Sequence, residues 1–272
     1  MASNAHTIGT FNYIGRIDGE PLYYVDQRKR TTFGFEAHDM PVYDIRTFDD
    51  APTLAREGFA MADLPIDLSG IEDPDAIDAV YQPVLHEYMS ELTGAAKVIV
   101  LRPMLRWSDV APRPNRLNSR PARYVHCDWD RDTFRKRAET LLADDPERER
   151  WLSGRYACVQ TWRALSAPPQ DMPLAVMDRQ TLDNRDLVHA TNVLGVPGAE
   201  TRAGNFAFRY STDHRWAYIS NMEANDVLVF MGFDSAEQDK TGSPHSSFEY
   251  FRHHEGTVPR RSCEVRAFVF WG

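Results

Sequence analysis

The segment Tyr124-Val-His126-Cys-Asp128 carries an imidazole and a carboxylate two positions apart in a strand-forming setting. Residues two apart on a strand project from the same face, so His126 and Asp128 can bind one metal ion together. A second histidine from elsewhere in the chain would complete a set of two histidines and one carboxylate. Such a set suits Fe(II) and leaves positions open for a co-substrate and dioxygen. The alternative is a structural histidine that is hydrogen-bonded to its neighbouring carboxylate.

The third ligand is predicted to be His245, which stands in Ser-Pro-His-Ser at the head of a strand candidate. His253 and His254 compete for this role, but they fall in a polar stretch after that strand. One His-x-Asp match is easily expected by chance in a chain with nine histidines. The order His-x-Asp, distant histidine and then Arg-x-Ser is much less easily explained by chance, and it favours a metal site.

A predicted strand near the end of the sequence carries four polar residues on one face: Arg260, Ser262, Glu264 and Arg266. Burying these side chains is costly unless they meet charged partners. An arginine fork beside a hydroxyl suits a bidentate carboxylate ligand, which is what 2-oxoglutarate offers at its distal end. A solvent-facing strand with Arg–Glu–Arg pairing would explain the same pattern without a ligand.

Three further residues are predicted to line a ligand site. Tyr124 shares the face of His126 and Asp128 and is expected to contact 2-oxoglutarate or the substrate, unless it only packs in the core. Arg163 stands on or at the end of a strand candidate, and we assign it to a substrate carboxylate; the alternative is a pair with an acidic surface residue. Trp216, close to a turn-like stretch, is also assigned to the substrate.

The elements that must position these residues are mostly strands. Short apolar segments punctuated by Gly, Pro, Asn and Asp fill the second half, which predicts a sandwich or barrel. They are residues 156–162, 174–177, 206–211, 215–220, 227–233, 246–251 and 263–271. In the first half, residues 21–25, 40–45 and 97–101 have the same character. Neither nucleotide-binding glycine motif, G-x-G-x-x-G or G-x-x-x-x-G-K-[ST], occurs, so a Rossmann fold is disfavoured.

Two helical regions are predicted. Residues 73–92 repeat apolar side chains at helical spacing, with Asp73 as N-cap, Pro74 in the first turn and Gly94 as the stop. Pro83 lies inside this segment and predicts a kink or break. The charged residues 130–152 predict a second helical region that follows His-x-Asp directly.

Composition limits the classes of partner. Acidic residues outnumber basic ones by 40 to 31, giving a net charge of −9, which argues against a nucleic-acid partner. The longest apolar stretch is about seven residues, whereas a membrane helix needs roughly 20. Three cysteines cannot form a disulfide framework or a four-cysteine zinc site. The first ten residues lack a secretory signal, so we expect a cytoplasmic protein without a membrane partner.

The second half of the chain resembles a family of Fe(II)/2-oxoglutarate oxygenases. This family includes the fungal gibberellin desaturase, related hydroxylases and desaturases of secondary metabolism, and the methoxylation component of cephamycin biosynthesis. The resemblance covers the chain from about Arg102 to the end, in one consistent order. Its segments are residues 123–128, 161–165, 173–178, 215–218, 222–230, 233–235, 244–248 and 260–266.

The resemblance implies a mostly β fold with flanking helices around a double-stranded β-helix, the cupin-like jelly roll. It implies His126, Asp128 and His245 as iron ligands. It also implies that an arginine on the last core strand binds 2-oxoglutarate. Arg260 with Ser262 fits this role best, and Arg261 and Arg266 are the alternatives. We expect one domain over residues 1–272, with 1–100 flanking a core at 101–272 and a helical insertion near 130–153.

The implied activity is oxidation of a C–H bond in a small natural product, using Fe(II), 2-oxoglutarate and dioxygen and releasing succinate and carbon dioxide. Hydroxylation, desaturation and ring formation are all open outcomes. One alternative is a non-catalytic jelly roll that binds a small acidic ligand or a partner protein. Another is a cupin-like metal hydrolase or isomerase, since zinc also accepts His and Asp ligands. Assembly as a homodimer is left open.

Overall fold

A computed structural model describes residues 6–68, 70–109, 118–237, 241–250 and 256–272. Strands dominate these residues, and three helices flank them: α1 (Pro74–Thr93), α2 (Arg131–Leu141) and α3 (Arg148–Ser153). The strands are β1 (His6–Ile17), β2 (Leu22–Tyr24), β3 (Phe33–Asp44), β4 (Phe59–Asp63), β5 (Lys97–Val100), β6 (Met104–Trp107), β7 (Asn118–Ser119), β8 (His126–Cys127), β9 (Tyr156–Ala164), β10 (Leu174–Met177), β11 (Leu187–Leu194), β12 (Thr201–Phe208), β13 (Trp216–Tyr218), β14 (Asp226–Asp234), β15 (His245–Ser247), β16 (Glu249–Tyr250) and β17 (Arg261–Phe270).

The strands form two sheets that face each other. The first has the order β16-β1-β3-β13-β10-β15-β8-β12-β11-β2. The second has the order β4-β14-β9-β17-β6-β7, and β5 also pairs with β17. An apolar core joins them, with Leu174 and Val176 from the first sheet packed against Trp162 and Phe230 from the second. The prediction of a mostly β jelly-roll fold with flanking helices is confirmed.

Strand β17 occupies the middle of the second sheet and separates an apolar environment from a polar one. Its odd-numbered residues, such as Cys263 and Val265, pack in a cluster with Tyr81 and Leu85 of α1. Its even-numbered residues point into the space between the sheets, because side chains alternate along a strand. The polar residues Ser262, Glu264 and Arg266 are therefore directed toward the first sheet.

Helix α1 covers the outer face of the second sheet. The Asp73 carboxylate accepts a hydrogen bond from the Asp75 amide at 3.1 Å, and Gly94 ends the helix with a left-handed φ of 62°. The break predicted at Pro83 does not occur, and α1 runs through this residue. Tyr81 and Leu85, on either side of Pro83, are buried in one cluster, so both turns are held against the same sheet.

The first hundred residues contribute strands to both sheets. Strands β1 and β3 pair with each other, and β3 continues the first sheet by parallel pairing with β13. Strand β4 pairs with β14 in the second sheet. Helices α2 and α3 occupy the predicted insertion. Within the described residues, no helix has both the length and the apolar character needed to cross a membrane.

Candidate functional site

The two predicted histidine ligands are direct neighbours in the first sheet. His126 of β8 and His245 of β15 are register partners on antiparallel strands, and their ring centroids lie 4.5 Å apart. Asp128 follows β8 and turns its carboxylate toward both rings: its Oδ1 is 3.7 Å from Nε2 of His126 and 4.0 Å from Nε2 of His245. One ligand atom from each of the three residues fits within 4.8 Å of the others.

Backbone carbonyl groups fix how the two imidazoles present their nitrogens. Nδ1 of His126 donates to the Tyr124 carbonyl at 2.8 Å, and Nδ1 of His245 donates to the Ser243 carbonyl at 3.1 Å. Because a carbonyl can only accept, each proton sits on Nδ1 and each Nε2 keeps its lone pair for the centre of the site. Burial, and then the neighbouring His245, lower the pKa of His126 to about 4. His126 is therefore neutral at pH 7, as a metal ligand must be.

The second oxygen of Asp128 points away from the histidines, toward the second sheet. Oδ2 accepts hydrogen bonds from Gln160 Nε2 at 2.8 Å, from Arg266 Nε at 3.0 Å and from Arg266 Nη2 at 2.9 Å. Burial alone would raise the pKa of this carboxyl, but Arg266 and the two histidines outweigh burial and lower it. Asp128 is therefore an anion in the folded protein.

Arg266 is held from its other side by Glu264. The two side chains form an ion pair, and the Arg266 guanidinium also lies 5.5 Å from the centroid of the Trp129 ring. Burial opposes the charge on Arg266, yet Asp128 and Glu264 together raise its pKa. Nε and Nη2 of Arg266 are therefore engaged by carboxylates of the chain itself, and the structure does not present them to a 2-oxoglutarate carboxylate.

Arg260 and Ser262 lie further along the same inner face. Nε of Arg260 donates to the Ser262 hydroxyl at 3.0 Å, and Nη1 donates to the Met172 carbonyl at 2.9 Å. The guanidinium lies 4.9 Å from the ring centroid of Trp162. Burial and the nearby Arg106 lower the pKa of Arg260 to about 9. The group is thus a fully buried cation whose hydrogen-bond acceptors are neutral, whereas Arg261 is partly exposed and paired with Glu72.

Tyr124 forms the wall beside His126. Its ring stacks on the imidazole with centroids 4.6 Å apart. The hydroxyl accepts a hydrogen bond from the Asn205 amide at 3.1 Å and donates to Asn192 Oδ1 at 3.3 Å. Burial raises the pKa of this hydroxyl, so Tyr124 stays neutral.

Arg163, which we assigned to a substrate carboxylate, is placed away from the triad. Gln160 and Trp162 on β9 face inward, so Arg163 faces outward against α1, where it lies 5.3 Å from the Tyr81 ring centroid. Its Nη2 donates to the backbone carbonyls of Leu64, Ile66 and Ala224. These contacts give Arg163 a structural role.

Trp216 is also on the wrong face for substrate contact. Its neighbour Ala217 packs in the core between the sheets, whereas Trp216 points to the opposite side and stacks on Phe11 with centroids 4.2 Å apart. The indole N–H donates to the Tyr13 hydroxyl at 2.9 Å. The competing ligand candidates His253 and His254 lie outside the described residues.

A cavity of about 200 Å³ opens onto the triad and contains His126 and Asp128 in its wall. Its remaining lining includes Tyr23, Arg28, Arg106, Arg120, Tyr124 and Asn192. Arg106, whose side chain lies 3.5 Å from Glu264, was not among the predicted site residues. The alternation Leu-Arg-Trp at residues 105–107, soon after the predicted strand at 97–101, is the pattern that could have indicated it.

A larger cleft of about 610 Å³ lies outside the first sheet, between α2 and the faces of β11 and β12 that point away from the triad. His189 and Thr191 line this cleft, whereas Asn192 on the other face of β11 lines the smaller cavity. Because no triad residue reaches the larger cleft, the smaller cavity is the one that matters for chemistry at the triad.

Comparison with known proteins identifies a matching family and several relatives of this chain. A family model described as "Oxidoreductase/YMDC permease-like domain" matches residues 11–270. A protein of Aspergillus novofumigatus named Fe(II)/2-oxoglutarate-dependent dioxygenase nvfI is 28% identical, over 93% of this chain and 92% of the relative. A protein of Hormonema carpetanum named hydroxylase/desaturase efuI is 23% identical, over 89% of this chain and 86% of the relative.

The fold is shared with a solved structure. The structure described as iron and alpha-ketoglutarate-dependent endoperoxidase NvfI superposes with a TM-score of 0.81, covers 98% of both chains and is 23% identical in sequence. At this identity the likeness concerns the fold.

Proposed function

The chain belongs to the family described as the Oxidoreductase/YMDC permease-like domain, and on this premise we propose that it is an Fe(II)- and 2-oxoglutarate-dependent oxygenase. Its iron ligands would be His126, Asp128 and His245. The observation that carries the proposal is the convergence of two Nε2 atoms and one carboxylate oxygen within 4.8 Å. The names of the relatives support the same activity.

The donor set suits Fe(II). Both imidazoles are held with the proton on Nδ1, so their Nε2 lone pairs are available, and Asp128 is ionised. Two histidines and one carboxylate form the set used by non-haem Fe(II) oxygenases, and it leaves coordination positions open. The neutral His126 avoids the proton release that would otherwise oppose metal binding at pH 7.

The buried charges suit a dianionic co-substrate. Arg106, Arg260 and Arg266 supply three guanidinium groups near the triad, and Asp128, Asp171 and Glu264 supply three carboxylates. A divalent metal would give this set an excess of positive charge, which 2-oxoglutarate would reduce. We propose that Arg260 and Ser262 bind the distal carboxylate, because Arg260 is a buried cation with neutral hydrogen-bond partners. Tyr124 would form the wall beside the metal.

When bound, iron would supply the chemistry by which dioxygen, the oxidant, converts 2-oxoglutarate to succinate and carbon dioxide with one oxygen atom and oxidises a substrate C–H bond with the other. The chain orients the ligands and excludes water. Trp162 and Phe230 place apolar surface beside the site, and the Phe230 ring lies 4.9 Å from that of His245. The substrate would enter through the 200 Å³ cavity, where Tyr23 and Asn192 would contact it.

The test is an anaerobic titration of the metal-free protein with Fe(II) and then 2-oxoglutarate, followed by visible absorbance. A weak charge-transfer band is expected for the wild type and for Arg261→Gln, a control on the same strand whose side chain is partly exposed. The band should be absent in His245→Ala and weakened in Arg260→Gln. Iron binding without a band would contradict the co-substrate assignment and favour a metal hydrolase or isomerase. Absence of iron binding would favour a module that binds acidic ligands.

We further propose a cytoplasmic enzyme of secondary metabolism that acts on a small natural product, with neither nucleic acid nor membrane as partner. The net charge of −9 argues against nucleic acid as a partner. The hydroxylase/desaturase names of the relatives support the oxidation of a small molecule. A homodimer stays a prediction, which light scattering of the purified protein would test. Succinate formation stimulated by a panel of small natural products would identify the substrate class, and no stimulation by any of them would count against it.

A further inference from the structure

The two oxygens of Asp128 have separate environments, and this separation divides their roles. Oδ1 faces the lone pairs of the two histidines. Oδ2 is surrounded by three N–H donors, one from Gln160 and two from Arg266, all between 2.8 and 3.0 Å. An oxygen that already accepts three hydrogen bonds, two of them from a cation, has no lone pair to offer a metal ion.

We infer that Gln160 and Arg266 are positioning residues that restrict Asp128 to coordination through Oδ1 alone. The inference rests on the proposed function for the identity of the metal site. Chelation through both oxygens would break charge-assisted hydrogen bonds in a buried site, which is unfavourable because the donors would be left without acceptors. A metal bound by the two histidines and by Oδ1 alone would keep one more position for the 2-oxo acid and dioxygen than a metal that Asp128 chelated through both oxygens.

The structure holds both positioning residues rigidly. Gln160 of β9 and Arg266 of β17 are direct register partners at the centre of the second sheet, so they form one two-residue platform opposite β8. Glu264 fixes the guanidinium from its other side, and the Trp129 ring packs on it. Asp128 can chelate only if this platform moves or loses its donors.

Nitric oxide tests whether the bound Fe(II) keeps a free coordination position, because it binds in place of dioxygen without reacting further. Anaerobic Fe(II) protein is titrated with nitric oxide in the absence and in the presence of saturating 2-oxoglutarate, and binding is followed by electron paramagnetic resonance. The wild type and the control Arg261→Gln should bind nitric oxide under both conditions. Gln160→Leu and Arg266→Lys should bind it normally alone but at least tenfold more weakly once 2-oxoglutarate is present.

The outcomes separate the possible explanations. If wild-type protein fails to bind Fe(II) or 2-oxoglutarate, the proposed function fails. If the variants bind nitric oxide as the wild type does with 2-oxoglutarate present, the inference is overturned. If they lose binding equally under both conditions, their role is structural and the inference is also overturned. If Arg266→Lys does not fold, Gln160→Leu tests the inference alone, because it removes a neutral donor to Oδ2 and no buried charge.

Discussion

His126 and His245 face each other across one antiparallel strand pair, with ring centroids 4.5 Å apart, although they are far apart in sequence. Adjacent strands of a sheet hold directly opposed side chains at a fixed separation. The metal site therefore depends on the pairing of β8 with β15. A one-residue shift in this pairing would turn one ring to the other face of the sheet.

Replacing His245 by Ala should abolish iron-dependent activity and weaken Fe(II) binding more than about 100-fold. The physical reason is that one of three protein ligands is lost, and even the loss of outer hydrogen-bond partners weakens metal binding by 10–100-fold. Isothermal titration with Fe(II) under anaerobic conditions measures the change. His86→Ala, an exposed histidine on α1, is the control and should bind as the wild type does. Equal affinity in His245→Ala would contradict the ligand assignment.

The metal-free protein should lose stability as the pH falls from 6.5 toward 4. The pKa of His126 lies at about 4 in the folded state and at 6.5 ordinarily, so between these values the unfolded chain binds a proton that the folded chain does not. Unfolding is therefore favoured at low pH, by on the order of 3 kcal/mol once the pH is below both values. Urea unfolding at a series of pH values measures this dependence.

His214 provides the internal control for the pH experiment. Burial lowers its pKa as well, so the wild type contains two histidines that destabilise the fold on acidification. His126→Asn should remove only the contribution of His126 to this pH dependence. The free energy of unfolding should then change less between pH 6.5 and 4 than it does in the wild type. An unchanged slope in this variant would show that His126 is not the group responsible.

Arg260→Gln should raise the KM for 2-oxoglutarate about 10–100-fold, with kcat retained at saturation. A hydrogen bond to a charged group contributes about 1.5–3 kcal/mol, which corresponds to this range of affinity. Succinate formation measured against 2-oxoglutarate concentration gives both constants. Arg261→Gln should leave KM unchanged. If instead it is Arg261→Gln that raises KM, the partly exposed arginine is the anchor and our assignment is wrong.

Arg163→Met should destabilise the protein without changing its kinetic constants. The substitution leaves the carbonyls of Leu64, Ile66 and Ala224 without this donor, and each unsatisfied buried group costs about 1–3 kcal/mol. We expect a loss of about 2–4 kcal/mol in the free energy of unfolding, measured in urea. Arg185→Met, an exposed arginine paired with Asp183, should show little loss. An increased substrate KM with unchanged stability would restore the substrate role for Arg163.

Local patterns predicted much of the fold. Helix α1 followed from its cap residues and apolar spacing, and strands β10, β14 and β17 followed from apolar runs between turn residues. Strand β11 was missed because its sequence, Leu-Val-His-Ala-Thr-Asn-Val-Leu, has neither a period-2 alternation nor a continuous β-forming run. The place of β1 and β3 in the first sheet could not be predicted, since pairing with β13 depends on tertiary contacts rather than on local propensity.

The triad was predictable because its spacing expresses a chemical requirement, but the roles of the arginines were not. Alternation placed Arg260 and Arg266 on one face of β17 without indicating which carboxylates each would meet. The ion pair of Arg266 with Asp128 depends on the distance between the two sheets, whereas its pair with Glu264 lies within β17. The sequence also does not show which face of a strand lies inside, so it could not indicate that Arg163 and Trp216 project away from the triad.

The central position of β17 has a consequence for synthesis on the ribosome. Strands β5, β6 and β9 all pair with this strand, yet each is made long before it. A nascent chain that ends before Arg261 therefore exposes three unpaired strand edges and lacks the arginine that holds Asp128. Because such edges are sites of aggregation, the incomplete chain would depend on chaperones until its final strand emerges.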